Sequence, residues 1–240
     1  MHRMQIIRKA TAALLAVTAL PGFGQTSDET LGLVYVGDSW LQPGLQQFAA
    51  AASDDLGVPV EIIQRNSNLV AFATKRLKSG QWNAVEDADI VLIQMSGNFG
   101  RRSGFCLDTV AEFAYSQTPE ALRAETDAFF AELVKFVDPA EAMIRVTIWG
   151  VPPSFRAWWE ERGVVDECAG GWVSLMQQWK EPAAQYGIAV IDLATAWNGQ
   201  DGIAETPASL FRSDGYYLSD AGIASVVAQI RARGYAPLAP

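Results

Sequence analysis

Five short apolar runs, each separated from the next by a stretch with helical spacing, constrain this chain more than any other feature. The runs are 31–37 (LGLVYVG), 58–63, 89–95 (DIVLIQM), 142–149 and 188–193. Between and after them, 43–56 sets Leu45, Phe48, Ala49, Ala52 and Leu56 on one stripe. Segments 69–78, 118–137, 172–186 and 219–233 have the same character, with Ile223, Val226, Val227 and Ile230 in register in the last. Strand-length runs apolar on both faces, alternating with amphipathic helices, predict a parallel sheet covered by helices on both sides. The 240 residues contain no repeat and no linker, so one α/β domain with a five-stranded parallel sheet in three layers is the expectation. Segment 152–170 reads as irregular, and 237–240 as a loose tail.

Ahead of the first run lies a different pattern. Arg3, Arg8 and Lys9 precede an unbroken run of 11 apolar and small residues, 10–20, and Gly22 and Gly24 stand at the small-residue positions of a cleavage site before Gln25. The run is too short to span a hydrocarbon core of about 30 Å. Residues 1–24 therefore read as an export signal, 25–240 as the mature domain, and the protein as periplasmic or secreted with no membrane span after processing. Removing 1–24 deletes three basic residues and no acid, so the formal charge moves from −9 to −12. It also removes His2, the one histidine in the chain. No basic stripe suits a nucleic acid. An oxidising compartment allows Cys106 and Cys168, the only two cysteines, to pair; both fall in segments that read as loops. The bridge would close about 63 residues and contribute about 4 kcal/mol in the chain-entropy picture. Neither metal-ligand spacing nor a phosphate or dinucleotide loop is present, so no cofactor is expected.

In parallel α/β sheets ligands sit beyond the carboxyl ends of the strands. Three loops there carry chemistry. Gly37-Asp38-Ser39-Trp40 follows the first strand, where a turn can expose the serine at a helix N-terminus. Ser96-Gly97-Asn98-Phe99 follows the third, with Asn98 able to offer an amide donor. Asp214-Gly215-Tyr216-Tyr217-Leu218-Ser219-Asp220-Ala221-Gly222 precedes the last helix. Each also has a bland reading: Asp38 or Ser39 as a helix cap, Gly97-Asn98 as a turn, and Asp214 as a turn former.

In this order the three loops resemble the GDSL, or SGNH, hydrolase family of serine esterases, lipases and carbohydrate deacetylases. The resemblance spans roughly 31–233 and implies a flavodoxin-like sheet. It places Ser39 on the nucleophile, Asn98 on the oxyanion asparagine and Asp214 on the triad aspartate. Tyr217 falls on the catalytic histidine. The glycine whose N–H helps bind the oxyanion should lie within 64–69, which reads QRNSNL, so Ser67 or Asn68 stands there. The third loop lacks the family's leading glycine and final aspartate.

Loss of histidine governs the functional expectation. A serine hydroxyl needs a neighbouring base, and imidazole, with a pKa of about 6.5, serves at neutral pH. A phenol with a pKa of about 10 is ionised in roughly one molecule in 10³ at pH 7. The expectation is thus an SGNH-like cleft with little classical turnover, binding an acylated or anionic carbohydrate or a protein partner. The alternative is an active ester hydrolase or acyl transferase using Ser39 with an unconventional base. Indoles can stack on sugar rings, so Trp40, Trp158, Trp159 and Trp172 are candidate ligand contacts, along with Asp38 and Asn68; their bland reading is packing. Arg101 and Arg102 can clamp an anionic group or simply be solvated. Asp38, Asp108, Asp192 and Asp214 leave open a two-carboxylate glycosidase.

Overall fold

Strand β1 (Leu31–Gly37) lies in the interior of the sheet, with β2 (Val60–Ser67) on one side and β3 (Ile90–Gln94) on the other. The computed structural model describes residues 30–37, 39–67, 70–94 and 118–238. With β4 (Met143–Ile148) and β5 (Ala189–Asp192), the strands form one all-parallel sheet in the order β2-β1-β3-β4-β5. The chain order reverses at β1, so the crevice beyond β1 and β3 is the expected ligand position. All of β3 and β4 is buried, which explains why β3 reads as a near-continuous apolar run.

Helix α1 (Leu45–Leu56) packs with α8 (Asp220–Arg233) on one face; α2 (Val70–Lys78), α3 (Pro119–Leu133) and α6 (Lys180–Gln185) pack together on the other. Local sequence sets their ends. Pro119 occupies the start of α3 behind Thr118, whose hydroxyl accepts the Ala121 N–H at 3.2 Å. Ser219 caps α8 by accepting the Gly222 N–H at 3.2 Å. Gly57 ends α1 at φ +70°, a left-handed conformation that favours glycine.

The segment 152–170 is not irregular. It forms α4 (Pro153–Glu160) and the first part of α5 (Val165–Gln177). Cys168 consequently sits on a helix, fully buried, rather than in a loop. Helix α4 spans only two turns, too few to show a clear period, yet Phe155 and Trp159 are four apart and both pack inward. The expected helix 172–186 is broken after Gln177 and resumes as α6; α7 (Leu193–Asn198) follows β5 directly. Strand β2 extends to Ser67, further than the apolar run 58–63, because edge residues such as Glu61 and Arg65 face solvent.

Candidate active site

Gly37 ends β1 level with Ser67 of β2 and Gln94 of β3. A Cβ at this position would lie 2.1 Å from the Gln94 carbonyl oxygen and 2.5 Å from the Tyr35 hydroxyl. Only glycine fits between these neighbours, and it releases the chain into the turn that carries Ser39. Ser39 is half-buried in that turn, just before the 3-10 turn Gln42–Gly44 that leads into α1. It thus follows the strand at which the sheet order reverses.

Trp40 is buried, 1% exposed, and acts as a hub. Its ring meets Trp149 edge-on at 5.2 Å, stacks on Trp172 at 6.3 Å, and meets Tyr216 edge-on at 5.2 Å. Tyr216 in turn meets the half-buried Tyr217 edge-on at 5.0 Å. This chain of rings joins the loop bearing Ser39 to the loop bearing Asp214 and Tyr217, across nearly 180 residues of sequence.

The second loop is tied down along its length. Phe211 and Leu218 form an antiparallel bridge, and the Arg212 N–H donates to the Tyr217 carbonyl at 2.8 Å. Gly215 takes φ +63°, and its carbonyl accepts the Ser154 N–H at the start of α4 at 3.0 Å. Phe155 of α4 packs on Tyr216 at 5.8 Å. Asp214 is exposed. Its Oδ1 accepts the N–H groups of Tyr216 at 2.8 Å and Tyr217 at 3.0 Å. Those two backbone bonds, first Tyr216 and then Tyr217, hold its carboxyl below the ordinary carboxylate value. Asp214 therefore shapes its own turn, the bland role, and no hydrogen bond joins it to Ser39.

The other positions named from sequence divide clearly. Asp38, Asn68, Asn98, Arg101, Arg102, Cys106 and Asp108 lie outside the described residues, as does the segment 1–24 with His2. Trp40, Trp159 and Trp172 are buried, so their rings pack the core instead of presenting faces to a ligand. Trp172 also donates its indole N–H to the Trp149 carbonyl at 3.0 Å. Trp158 is half-buried, with the Arg162 guanidinium 3.8 Å over its ring, a cation–π contact that occupies one face. Asp192 caps α7 by accepting the Thr195 N–H at 2.9 Å and pairs with Lys180. It is thus engaged structurally by Lys180 and Thr195. No cluster of three metal-ligating side chains occurs among the described residues, and no helix there is long and apolar enough to cross a membrane.

Sequence reasoning overlooked Tyr35 and Gln94. Gln94 is fully buried at the last position of β3, and its Oε1 accepts the Tyr35 hydroxyl at 3.0 Å. Its Nε2 has no partner, nor has Nδ2 of the buried Asn66 at the corresponding end of β2. The available signal was a glutamine and a tyrosine inside otherwise apolar strands: such polar groups are costly unless they are used.

The fold is shared with several solved structures of low sequence identity. It superposes on the crystal structure of a lipase/acylhydrolase from Enterococcus faecalis with a TM-score of 0.56 at 19% identity, covering 85% of this chain and 94% of that one. The lipase Lip_vut3 from a goat rumen metagenome gives a TM-score of 0.59 at 16% identity, covering 87% and 99%. LAE5, an α/β hydrolase from the metagenome of Lake Arreo in Spain, gives 0.57 at 14%, covering 84% and 94%. No family model matches the sequence, and no curated protein matches it. The class defined is an α/β protein with a hydrolase-like scaffold. More particularly, the architecture is the SGNH/GDSL-hydrolase fold.

Proposed function

We propose that this protein is an exported SGNH-like binding protein whose site has lost the ordinary serine-hydrolase triad. On this reading residues 1–24 direct export and are removed, and Cys106 pairs with Cys168 in the oxidising compartment. The cleft beside Ser39 takes an acylated or anionic carbohydrate, or a protein partner presenting one. Asn98 and the backbone near Asn68 supply donors there, Arg101 meets an anionic group, and the half-buried Trp158 meets a sugar ring.

The observation that carries the reading is the state of the 214–217 loop. On the sequence resemblance Tyr217 falls where the base would stand, and Asp214 spends Oδ1 on two backbone N–H groups. The described residues contain no histidine that can substitute. Without a base, the hydroxyl of Ser39 must lose its proton to solvent, and general-base assistance worth about 10²–10⁴ in rate is forgone. The second reading, an active ester hydrolase or acyl transferase, is favoured by one feature: Ser39 still sits on the turn at the sheet reversal.

A fluorophosphonate probe separates the two. With purified processed protein at pH 7, the expected result is labelling no faster than that of a Ser39→Ala control. Rapid stoichiometric labelling of Ser39 overturns the non-catalytic reading in favour of the active hydrolase.

A further inference from the structure

Arg145 takes no part in the loops around Ser39. It lies on β4 level with Leu92 and Ala189, and only 6% of it is exposed. Its Nη1 donates to the Ile144 carbonyl at 3.0 Å, and its Nη2 donates to the carbonyls of Gly234 at 2.9 Å and Ala236 at 2.8 Å. Nε has no partner. No carboxylate reaches ion-pair distance of this guanidinium among the described residues. Burial, and then the like charge of Arg233, act against its charged form. A buried cation is ordinarily matched by an anion, since carbonyl dipoles offset only part of its lost hydration.

Against this group opens a cavity of about 250 Å³ lined by Pro139, Ile144, Gly187, Ala236 and Pro237. Pro139 and Gly187 precede β4 and β5, so the cavity is at the end of the sheet opposite Ser39. Its volume suits a small ion with some water, not a sugar chain. We propose that this cavity is a second binding site, for a compact oxyanion of carboxylate or phosphate type held against Arg145. The anion would neutralise a charge the fold buries alone. By binding only the folded chain it would also stabilise the strap 234–236 that Arg145 holds.

The test is thermal unfolding of the full chain with inorganic phosphate or acetate in separate titrations, ionic strength being held constant with chloride. A saturable rise in melting temperature is expected in at least one titration, and whichever anion acts identifies the source chemistry. In Arg145→Met the apparent affinity should fall by about tenfold or more, the loss of one charge-assisted contact. Ala236→Glu leaves Arg145 in place and sets a carboxylate at the cavity's rim; it should abolish the rise and remains informative if Arg145→Met does not fold. A wild type without a saturable rise in either titration, or a full rise retained in either folded variant, overturns the proposal.

Discussion

Gly37→Ala is the sharpest probe of how the fold positions Ser39. The added methyl would meet the Gln94 carbonyl oxygen at 2.1 Å, whereas non-bonded Cβ contacts hold beyond 3.0 Å. That oxygen belongs to the backbone of a buried strand and cannot rotate away. The Tyr35 hydroxyl, 2.5 Å from the same point, is held by its bond to Gln94. Relief therefore needs β1 and β3 to part by most of an ångström where they are in register. Overpacking of this kind costs about 3 kcal/mol, at the upper end of the usual range. For a domain of this size each kcal/mol lowers Tm by about 2–4 °C, so the expected fall is about 6–12 °C. Gly57→Ala is the control: no atom lies within 4 Å of its added methyl, but φ is +70°. It carries only the left-handed penalty of about 1 kcal/mol, or about 2–4 °C. Circular dichroism melts of both variants give the comparison. If Gly37→Ala melts within about 2 °C of wild type, or no lower than Gly57→Ala, the packing argued for the Ser39 turn is wrong.

Tyr217→His should raise hydrolysis of a small aryl acetate by about 10²–10³, and adding Ser39→Ala should return it to background; a variant no faster than wild type shows that the missing base is not the limiting defect. Burial works to raise the Asp192 carboxyl, but the Lys180 ammonium and the Thr195 N–H and hydroxyl outweigh it and hold the carboxyl below its ordinary value. A depressed folded-state pKa gives stability present above the unfolded value of about 3.9 and lost as pH falls through the folded one. Asp192→Asn should thus cost about 1 kcal/mol at pH 7 in urea unfolding, the partly exposed Lys180 being screened, and progressively less as pH falls through the depressed folded-state value; a cost that does not shrink on acidification refutes the ion-pair account. Mass analysis of exported protein without reductant should find no alkylatable thiol and an N-terminus at Gln25, whereas two alkylated cysteines would exclude the Cys106–Cys168 bridge.

Much of the architecture was legible because the strands declare themselves. Runs such as 31–37 and 89–95 are apolar at every position but one or two, which only a strand covered on both faces tolerates. Thr118-Pro119 and Ser219 announced two helix starts through local chemistry that tertiary contacts did not override. Helix α4 and the first part of α5 fall in 152–170, read as irregular, a stretch that holds Pro152-Pro153 and Gly170. In the fold the first prolines start a helix, where a missing N–H is harmless, and Gly170 lies inside one with open space around it. The site was legible in order but not in role. Sequence set the loops of Ser39 and Asp214 at the same end of the sheet, yet could not say that Trp40, Trp159 and Trp172 point into the core. Indoles suit a binding platform and a core alike, and only burial distinguishes them.

The 214–217 loop shows why retained residues are weak witnesses to retained chemistry. In a working triad an aspartate orients a histidine. Here the carboxylate has a sufficient structural reason to exist, since two backbone N–H groups would lose their acceptor without it. Tyr217 likewise has one: its ring packs against Tyr216, which packs against Trp40 and Phe155. The loop's shape is thus accounted for by ring packing and backbone hydrogen bonds alone. A shared scaffold therefore says nothing by itself about which chemistry runs at the Ser39 turn, and the rate tests of Tyr217→His and Ser39→Ala decide it.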